Sequence, residues 1–236
     1  MSYSAVGLLA VIIHLIINYD VFRKRAGGTF PGIRYYRQFL LSVIVYHITD
    51  SLWGFFNNHH MPLALLINTS LYFTMMALSI MFWTFFVVHY LEEKSIFCSA
   101  INYIGKFFFI FQISIVAANF FVPILFSIDS NGHYQKLFFR NVLFFLQIAF
   151  LLVTSLYTLI ITAKAQVSIK RRHLTIGLFG LAMILAITAQ IFFVDLPFYS
   201  IGYLIGCCLL HTFVVEEERA DNIFALKESF SREAMQ

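Results

Sequence analysis

Asp50 is the only acidic residue well inside any of the long apolar segments of this sequence, within the stretch YHITDSLWGFFNNHHMP, Tyr46 to Pro62. A carboxylate at that depth in a bilayer costs about 2.5–3.5 kcal/mol on insertion scales, so it faces the protein interior and finds a partner. At about 100° per residue, His47, Asp50, Trp53, Gly54 and Asn57 fall on one helix face. The following segment carries a comparable stripe of Asn68, Tyr72, Met75 and Ser79, and the short connection makes the two segments antiparallel neighbours. Asn68 and Tyr72 then reach the depth of Asp50 and are the expected donors to it. Asn119, Arg140, Asn141, Gln147, Thr188, Gln190, Tyr199 and Tyr203 count to the same half of their own segments. The other half is largely Leu, Ile, Val and Phe, with Gln112, Trp83 and His211 as exceptions. A carboxylate, amides, hydroxyls and aromatic rings gathered in one half of an apolar bundle make a small-molecule pocket. The candidate ligand-binding residues are Asp50, Trp53, Asn68, Tyr72, Asn119, Gln147, Gln190 and Tyr203. The competing role for each is helix-to-helix bonding, worth about 0.6 kcal/mol on average. Asp50 is thus a ligand contact, a proton-responsive switch or a structural anchor.

Other chemistries lack their residues. The eight histidines are dispersed, His59 and His60 in one turn and His14, His47, His89, His133, His173 and His211 elsewhere, without an HExxH or a ligand set on one face. No metal or cofactor is expected. No Ser or Cys has a recognisable base beside it, and the last apolar segment has no lysine for a retinal Schiff base. The chain is therefore expected not to be an enzyme. The competing class is a membrane-embedded enzyme or small carrier using the same polar cavity.

These groups are positioned by helices in lipid. The 236 residues are 60% hydrophobic and 12% charged, with 29 Phe, against about 25% charged in a soluble domain. With roughly 20 apolar residues needed per crossing, seven spans are expected: Ser4 to Phe22, Phe39 to Phe56, Leu63 to Leu91, Phe107 to Ile128, Leu137 to Ala163, Thr175 to Phe193 and Pro197 to Val215. The expected fold is an all-α integral membrane protein, a seven-helix bundle spanning residues 1–215. Lys and Arg concentrate in the first, third and fifth connections, at Arg23, Lys24, Arg25, Arg34 and Arg37, at Lys94 and Lys106, and at Lys164, Lys170, Arg171 and Arg172. Only Lys136 and Arg140 fall on the other side. The positive-inside rule then places the N-terminus outside and the C-terminus in the cytoplasm of a cell (inner or plasma) membrane, crossed many times. The net charge of +4 belongs to those loops, whose partner is anionic membrane lipid rather than nucleic acid. Cys98, Cys207 and Cys208 imply no disulfide framework. The first span lacks a basic n-region and reads as a retained helix.

Residues 216–236, EEERADNIFALKESFSREAMQ, continue the last span as a cytoplasmic helical linker, with Ile223, Leu226 and Phe230 at coiled-coil spacing. No compact cytoplasmic domain follows within the chain, so the expectation is a partner protein or an output domain beyond Gln236. GYLIG, Gly202 to Gly206, is a GxxxG pattern for close helix approach, within the bundle or between protomers. Pro123 kinks the fourth span or marks its end.

The runs YYRQFLLSVIVYHITDSLWGFF and LINTSLYFTMMALSIMFWTFFVVHYL, within residues 35–91, resemble the bacterial seven-helix N-terminal sensor modules that precede diguanylate cyclase or histidine kinase domains. The most specific pieces are D..WG and the aromatic YF…W…F..YL. The signatures of G-protein-coupled receptors, Asp-Arg-Tyr and Asn-Pro-x-x-Tyr, are missing. The resemblance implies cyclic-di-GMP synthesis or kinase output after the tail, and a homodimer because such outputs act in pairs. The expected function is a transmembrane sensor that binds a small or lipophilic ligand in its outer half and signals through the seventh helix.

Overall fold

A lipid-embedded backbone has no water to bond with, so every N–H and C=O must be satisfied internally and long uninterrupted helices result. The computed structural model describes residues 3–23, 31–91, 95–129, 131–164, 167–194, 196–216, 219 and 223–225. The helices are α1 (Tyr3–Ile17), α2 (Tyr19–Phe22), α3 (Ile33–Asn58), α4 (Pro62–Tyr90), α5 (Ile96–Ala118), α6 (Phe138–Lys164), α7 (Val167–Phe192) and α8 (Phe198–Leu210). A π-helical stretch, His211–Val215, prolongs α8. Helix ends follow local chemistry. Pro62 sits in the first turn of α4, where its missing N–H costs nothing. Ser95 caps α5 by accepting from the Cys98 backbone N–H at 3.2 Å.

Among the described residues, six helices are long and apolar enough to cross a membrane: α3, α4, α5, α6, Lys170–Phe192 of α7, and Phe198–Val215. This is the character of a multi-pass membrane protein. Ser4–Ile17 is apolar but shorter than those six. Asn18 alone separates α1 from α2, and i to i−4 backbone bonds run through it, from Asn18 N to His14 O and from Phe22 N to Asn18 O, both 3.2 Å.

Successive long helices are antiparallel. Ser51 on α3 bonds the Ser4 carbonyl near the start of α1, whereas Arg37 bonds the Val21 carbonyl near its far end. Arg140 and Gln190 join the start of α6 to the end of α7. Helix contacts run α1–α3–α4–α5 and α6–α7–α8–α1, with α4 also touching α6, so α8 packs on α7, α1 and α3. An aromatic centre locks this arrangement, with Trp83 rings 4.0 Å from Phe179 and 5.5 Å from Phe39.

Several expected boundaries move. The fourth span, expected at Phe107 to Ile128, is α5 at Ile96–Ala118, because Ser95 caps it early and the basic Lys106 is accommodated within it. The Lys106 ammonium lies 5.8 Å from the Phe85 ring centre and 5.7 Å from Tyr103. Lys170, Arg171 and Arg172, expected in a loop, lie in the first turns of α7. Arg171 sits over the Phe213 ring at 4.4 Å, so a flat cation is tolerated inside the helix end. Pro123 lies beyond the α5 end and kinks nothing. The GxxxG pair faces α7: a Cβ on Gly202 would meet Ala186 Cβ at 2.5 Å, and one on Gly206 the Phe179 ring at 2.4 Å. Of the expected tail helix, Leu226 and Phe230 lie outside the described residues, and Ile223–Ala225 are helical.

The chain is not wholly helical. Phe126–Ile128 (β1) and Tyr134–Lys136 (β2) form an antiparallel hairpin, Phe126 opposite Lys136. Phe126 is buried on Phe73 and Tyr134, which fixes the hairpin over one end of the bundle, called here the hairpin end. The N-terminus of α1 lies at this end, and α8 starts here and runs away from it. Asp129 holds the hairpin loop. Its carboxylate accepts from the His133 and Asn131 backbone N–H groups, both at 2.9 Å, and from Gln135 Nε2, and the His133 bond first among these holds its carboxyl below the usual carboxylate range. A depressed folded pKa means the loop's stabilisation is present above the unfolded carboxylate value and is lost as pH falls through the folded one. Hydrogen exchange, corrected for intrinsic rates, should therefore show the amides of Asn131 and His133 losing protection below about pH 4.

Candidate functional site

The polar face of α3 is real, and its partners come mostly from elements distant in sequence. Asp50, only 1% exposed, accepts a short hydrogen bond from the Ser200 hydroxyl on α8. Ser200 Oγ also lies 3.3 Å from His47 Nδ1, and the His14 ring on α1 packs edge-on to His47. Asn68 does not serve Asp50 as expected: its amide donates to the Thr49 carbonyl at 2.8 Å. Tyr72 accepts from the Tyr46 hydroxyl at 3.1 Å and shares a cavity wall with Asp50.

That cavity is small. It has a volume of about 30 Å³ and is lined by Asp50, Trp53, Thr69, Tyr72, Phe73, Tyr134, Arg140, Gln190 and Val194. At 10–15 Å³ per water it holds about two. Above it a vestibule of about 630 Å³ opens at the hairpin end, bounded among others by Trp53, Asn57, His133, Tyr134, Lys136, Phe192, Phe193 and Val194. Trp53, Tyr134 and Val194 belong to both spaces, so one aromatic neck joins them. The vestibule falls in the range of small-molecule sites, about 300–1,000 Å³. Tyr134 comes from β2, its backbone N–H donating to Asn57 Oδ1 at 3.2 Å, and its ring stands edge-on to Trp53. The hairpin thus builds one wall of the site.

Of the expected ligand residues, Asp50, Trp53, Tyr72 and Gln190 meet at the cavity. Asn119, Asn68, Gln147 and Tyr203 do not line it. Asn119 is the residue after α5, and its Oδ1 accepts from the backbone N–H groups of Ile124, Leu125 and Phe126 at 2.8, 2.7 and 3.3 Å, while Nδ2 donates to the Phe126 carbonyl. It organises the approach to β1, because the earlier end of α5 places it in a loop rather than in mid-span. Asn119→Ala would leave those groups unsatisfied, at about 1–3 kcal/mol. The expected result is faster hydrogen exchange at 124–126 and a lower thermal midpoint, with helix content by circular dichroism unchanged.

Gln147 and Tyr203 sit beneath the cavity in a second polar layer. Gln112 Nε2 donates to the Phe73 carbonyl at 2.9 Å, Gln147 Nε2 to Gln112 Oε1 at 3.3 Å, and the Tyr199 hydroxyl to Gln147 Oε1 at 3.2 Å. Tyr199 and Tyr203 hydroxyls are 3.4 Å apart, and Tyr203 makes a short bond with Ser79. Gln190 connects this layer to the cavity. Its Oε1 accepts from the Tyr199 backbone N–H at 3.1 Å and its Nε2 reaches the Phe193 and Val194 carbonyls, which ties the end of α7 to the start of α8. Tyr199, Ser200 and Tyr203 all stand on α8.

The residues missed from sequence are Ser200, Thr69, Arg140 and Tyr134. Arg140 is polar in the sequence but stands outside the candidate ligand residues. It is 4% exposed, donates to Asn141 Oδ1 at 3.2 Å and to the Gln190 carbonyl at 3.3 Å, and lies 4.6 Å from the Phe144 ring centre. An intramembrane cation opposite the one acid of α3 is the signal that could have found it.

Ser200, His47 and Asp50 are the residue types of a hydrolase triad, but in the wrong order. Catalysis needs histidine between serine and carboxylate, so that the ring takes the hydroxyl proton. Here the serine stands in the middle and donates its hydrogen bond to Asp50 rather than to the ring. A second space, about 510 Å³ between α5 and α6, is lined only by apolar residues such as Ile104, Phe107, Phe111 and Val153. It is a wholly apolar groove, with no polar group to orient a ligand. Among the described residues no group of three or more His, Cys, Asp and Glu side chains is placed to hold a metal ion.

Comparison with family models, curated proteins and solved structures returns no match. The function must be argued from the cavity.

Proposed function

We propose that this chain is a seven-helix membrane receptor module. It presents the hairpin end outside the cell, takes a small molecule into the vestibule and inner cavity, and passes the signal along α8 to a cytoplasmic output. In this reading α1 with α2 supplies the seventh crossing. The observation that carries it is the wiring of α8: Ser200 holds Asp50 in the cavity wall, and Gln190 holds the α8 start beside it. A ligand that alters either contact favours one placement of α8 over another, which is the only way binding shifts such an equilibrium. The π-helical stretch His211–Val215 stands where α8 leaves the bundle, and such irregular turns are common at functional sites. The signalling output and homodimer implied by the sensor-module resemblance belong to the same proposal. The serine-centred arrangement gives the enzyme alternative no support.

The test uses Gln135, an exposed residue of β2 that lines the vestibule. In intact cells a membrane-impermeant maleimide is expected to label Gln135→Cys, and filling the vestibule this way should alter hydrogen exchange across His211–Glu216. Labelling only after the cells are opened would put the hairpin in the cytoplasm and sink the reading. Labelling without any change at His211–Glu216 would remove the signalling part.

A further inference from the structure

Lys106 carries a charge on a surface otherwise built for lipid. It stands ten residues after Ile96, the first of α5. Its neighbours on the outer face of that helix are large and open: Tyr103 is 73% exposed, Phe107 70% and Ile110 62%. The ammonium lies near two rings, Phe85 of α4 at 5.8 Å and Tyr103 at 5.7 Å. No carboxylate pairs with it among the described residues. An unpaired ammonium within a span is costly, and rings at an exposed position offset only part of that cost. The rest is left for a counter-ion from outside the chain.

The depth of this charge fits a lipid headgroup. Phe85 lies in the last two turns of α4, and its ring stands edge-on to Tyr35, in the first turn of α3, at 5.5 Å. Both of those helix ends are opposite the hairpin end. Although Lys106 is mid-way along α5, it is therefore level with the start of α3, where Arg34 is exposed, and from there a lysine stem reaches the interface. Tyr35 also packs on His89 at 4.4 Å, so α3 and α4 together fix the ring on which the ammonium rests.

We propose that Lys106 binds one anionic phospholipid in the leaflet opposite the hairpin end. The headgroup phosphate takes the ammonium, which serves as a point charge, and the exposed Tyr103 hydroxyl donates beside it. The acyl chains run deeper, along Phe107 and Ile110. The cations of the connections meet acidic lipid as a diffuse surface, whereas this is a single position held by Phe85 and Tyr103. An acid-bearing membrane helix of another protein fits less well. Close helix approach uses small residues, and the face around Lys106 presents Tyr103, Phe107 and Ile110. The site is independent of the receptor reading above, because it uses neither the vestibule nor the orientation of the chain in the membrane.

The experiment uses the whole chain in phosphatidylcholine nanodiscs doped with a trace of photoreactive lipid, a diazirine placed high on one acyl chain. The two probes are phosphatidylglycerol, which is anionic, and the matching phosphatidylcholine, which is not, and labelled peptides are mapped by mass spectrometry. At residues 103–110 the phosphatidylglycerol probe is expected to label about fivefold more, the preference that one lysine gives for acidic lipid. Lys106→Gln should erase this preference and Lys106→Arg should keep it. Lys164→Gln, at the end of α6, should leave it unchanged. Equal labelling of wild type by the two probes overturns the proposal, as does a preference that survives Lys106→Gln. If that variant fails to fold, the two probes on wild type decide alone. Labelling of 103–110 by neither probe would show the face covered by protein and overturns the proposal as well. None of these outcomes bears on the Gln135→Cys test, so the lipid site and the receptor reading stand or fall separately.

Discussion

Asp50→Ala is expected to cost about 3–5 kcal/mol, the penalty for removing one member of a buried charged set. The carboxylate is 1% exposed and accepts a hydrogen bond from the Ser200 hydroxyl. Its loss strands the Ser200 hydroxyl, removes the negative charge that shares the cavity wall with the Arg140 guanidinium, and enlarges a space that now holds about two waters. Asp50→Asn keeps the shape and an acceptor for Ser200 and loses only the charge, so it should fall between wild type and Ala. Thermal unfolding in nanodiscs checks the order. If Ala unfolds where wild type does, Asp50 does not hold α3 to α8. If Asn is as unstable as Ala, the charge alone carries the effect and the Ser200 bond adds nothing.

The second large effect is expected at the α7–α8 contact. Gly206→Ala places a methyl 2.4 Å from the Phe179 ring, closer than carbon atoms pack, and overpacking of this kind costs about 1–3 kcal/mol. Phe179 has no easy retreat, since its ring lies 4.0 Å from Trp83 and 5.8 Å from Phe39. Either α8 moves outward or the aromatic centre rearranges. Gly105→Ala is the control: its added methyl would meet Phe150 and Thr84 at 3.6 Å, ordinary contact distance, so the midpoint should stay near wild type. Phe179→Leu in the Gly206→Ala background removes the clash and is expected to recover part of the loss. Equal midpoints for Gly206→Ala and Gly105→Ala would show that α8 is loosely seated, which would also weaken its role as the transmitting helix.

The polar face His47, Asp50, Trp53, Asn57 was legible because it depends on one helix and its period, and a helix has the same period wherever it packs. Tyr72 followed from a short connection that makes neighbours antiparallel. Asn119 misleads because hydropathy alone sets the fourth span too late in the chain. Ser95 starts that helix early, and the amide passes from mid-span to the loop before β1. Ser200, Thr69 and Tyr134 left no trace of a site: a serine, a threonine and a tyrosine are unremarkable in their own segments.

By itself the sequence determined that the long segments are membrane helices, that they alternate in direction, and that an acid sits on a polar stripe facing inward. These follow from local composition and from the cost of exposing backbone or charge to lipid, which is the same in any arrangement. Only the tertiary structure decided that Asp50 answers to Ser200 on the last helix rather than to Asn68 on the next. It also decided that Arg140 faces the same cavity and that a hairpin closes it into a vestibule. Those outcomes depend on where helices end and how each is rotated against distant neighbours, through contacts such as Gly206 on Phe179 that no stretch of the chain contains alone.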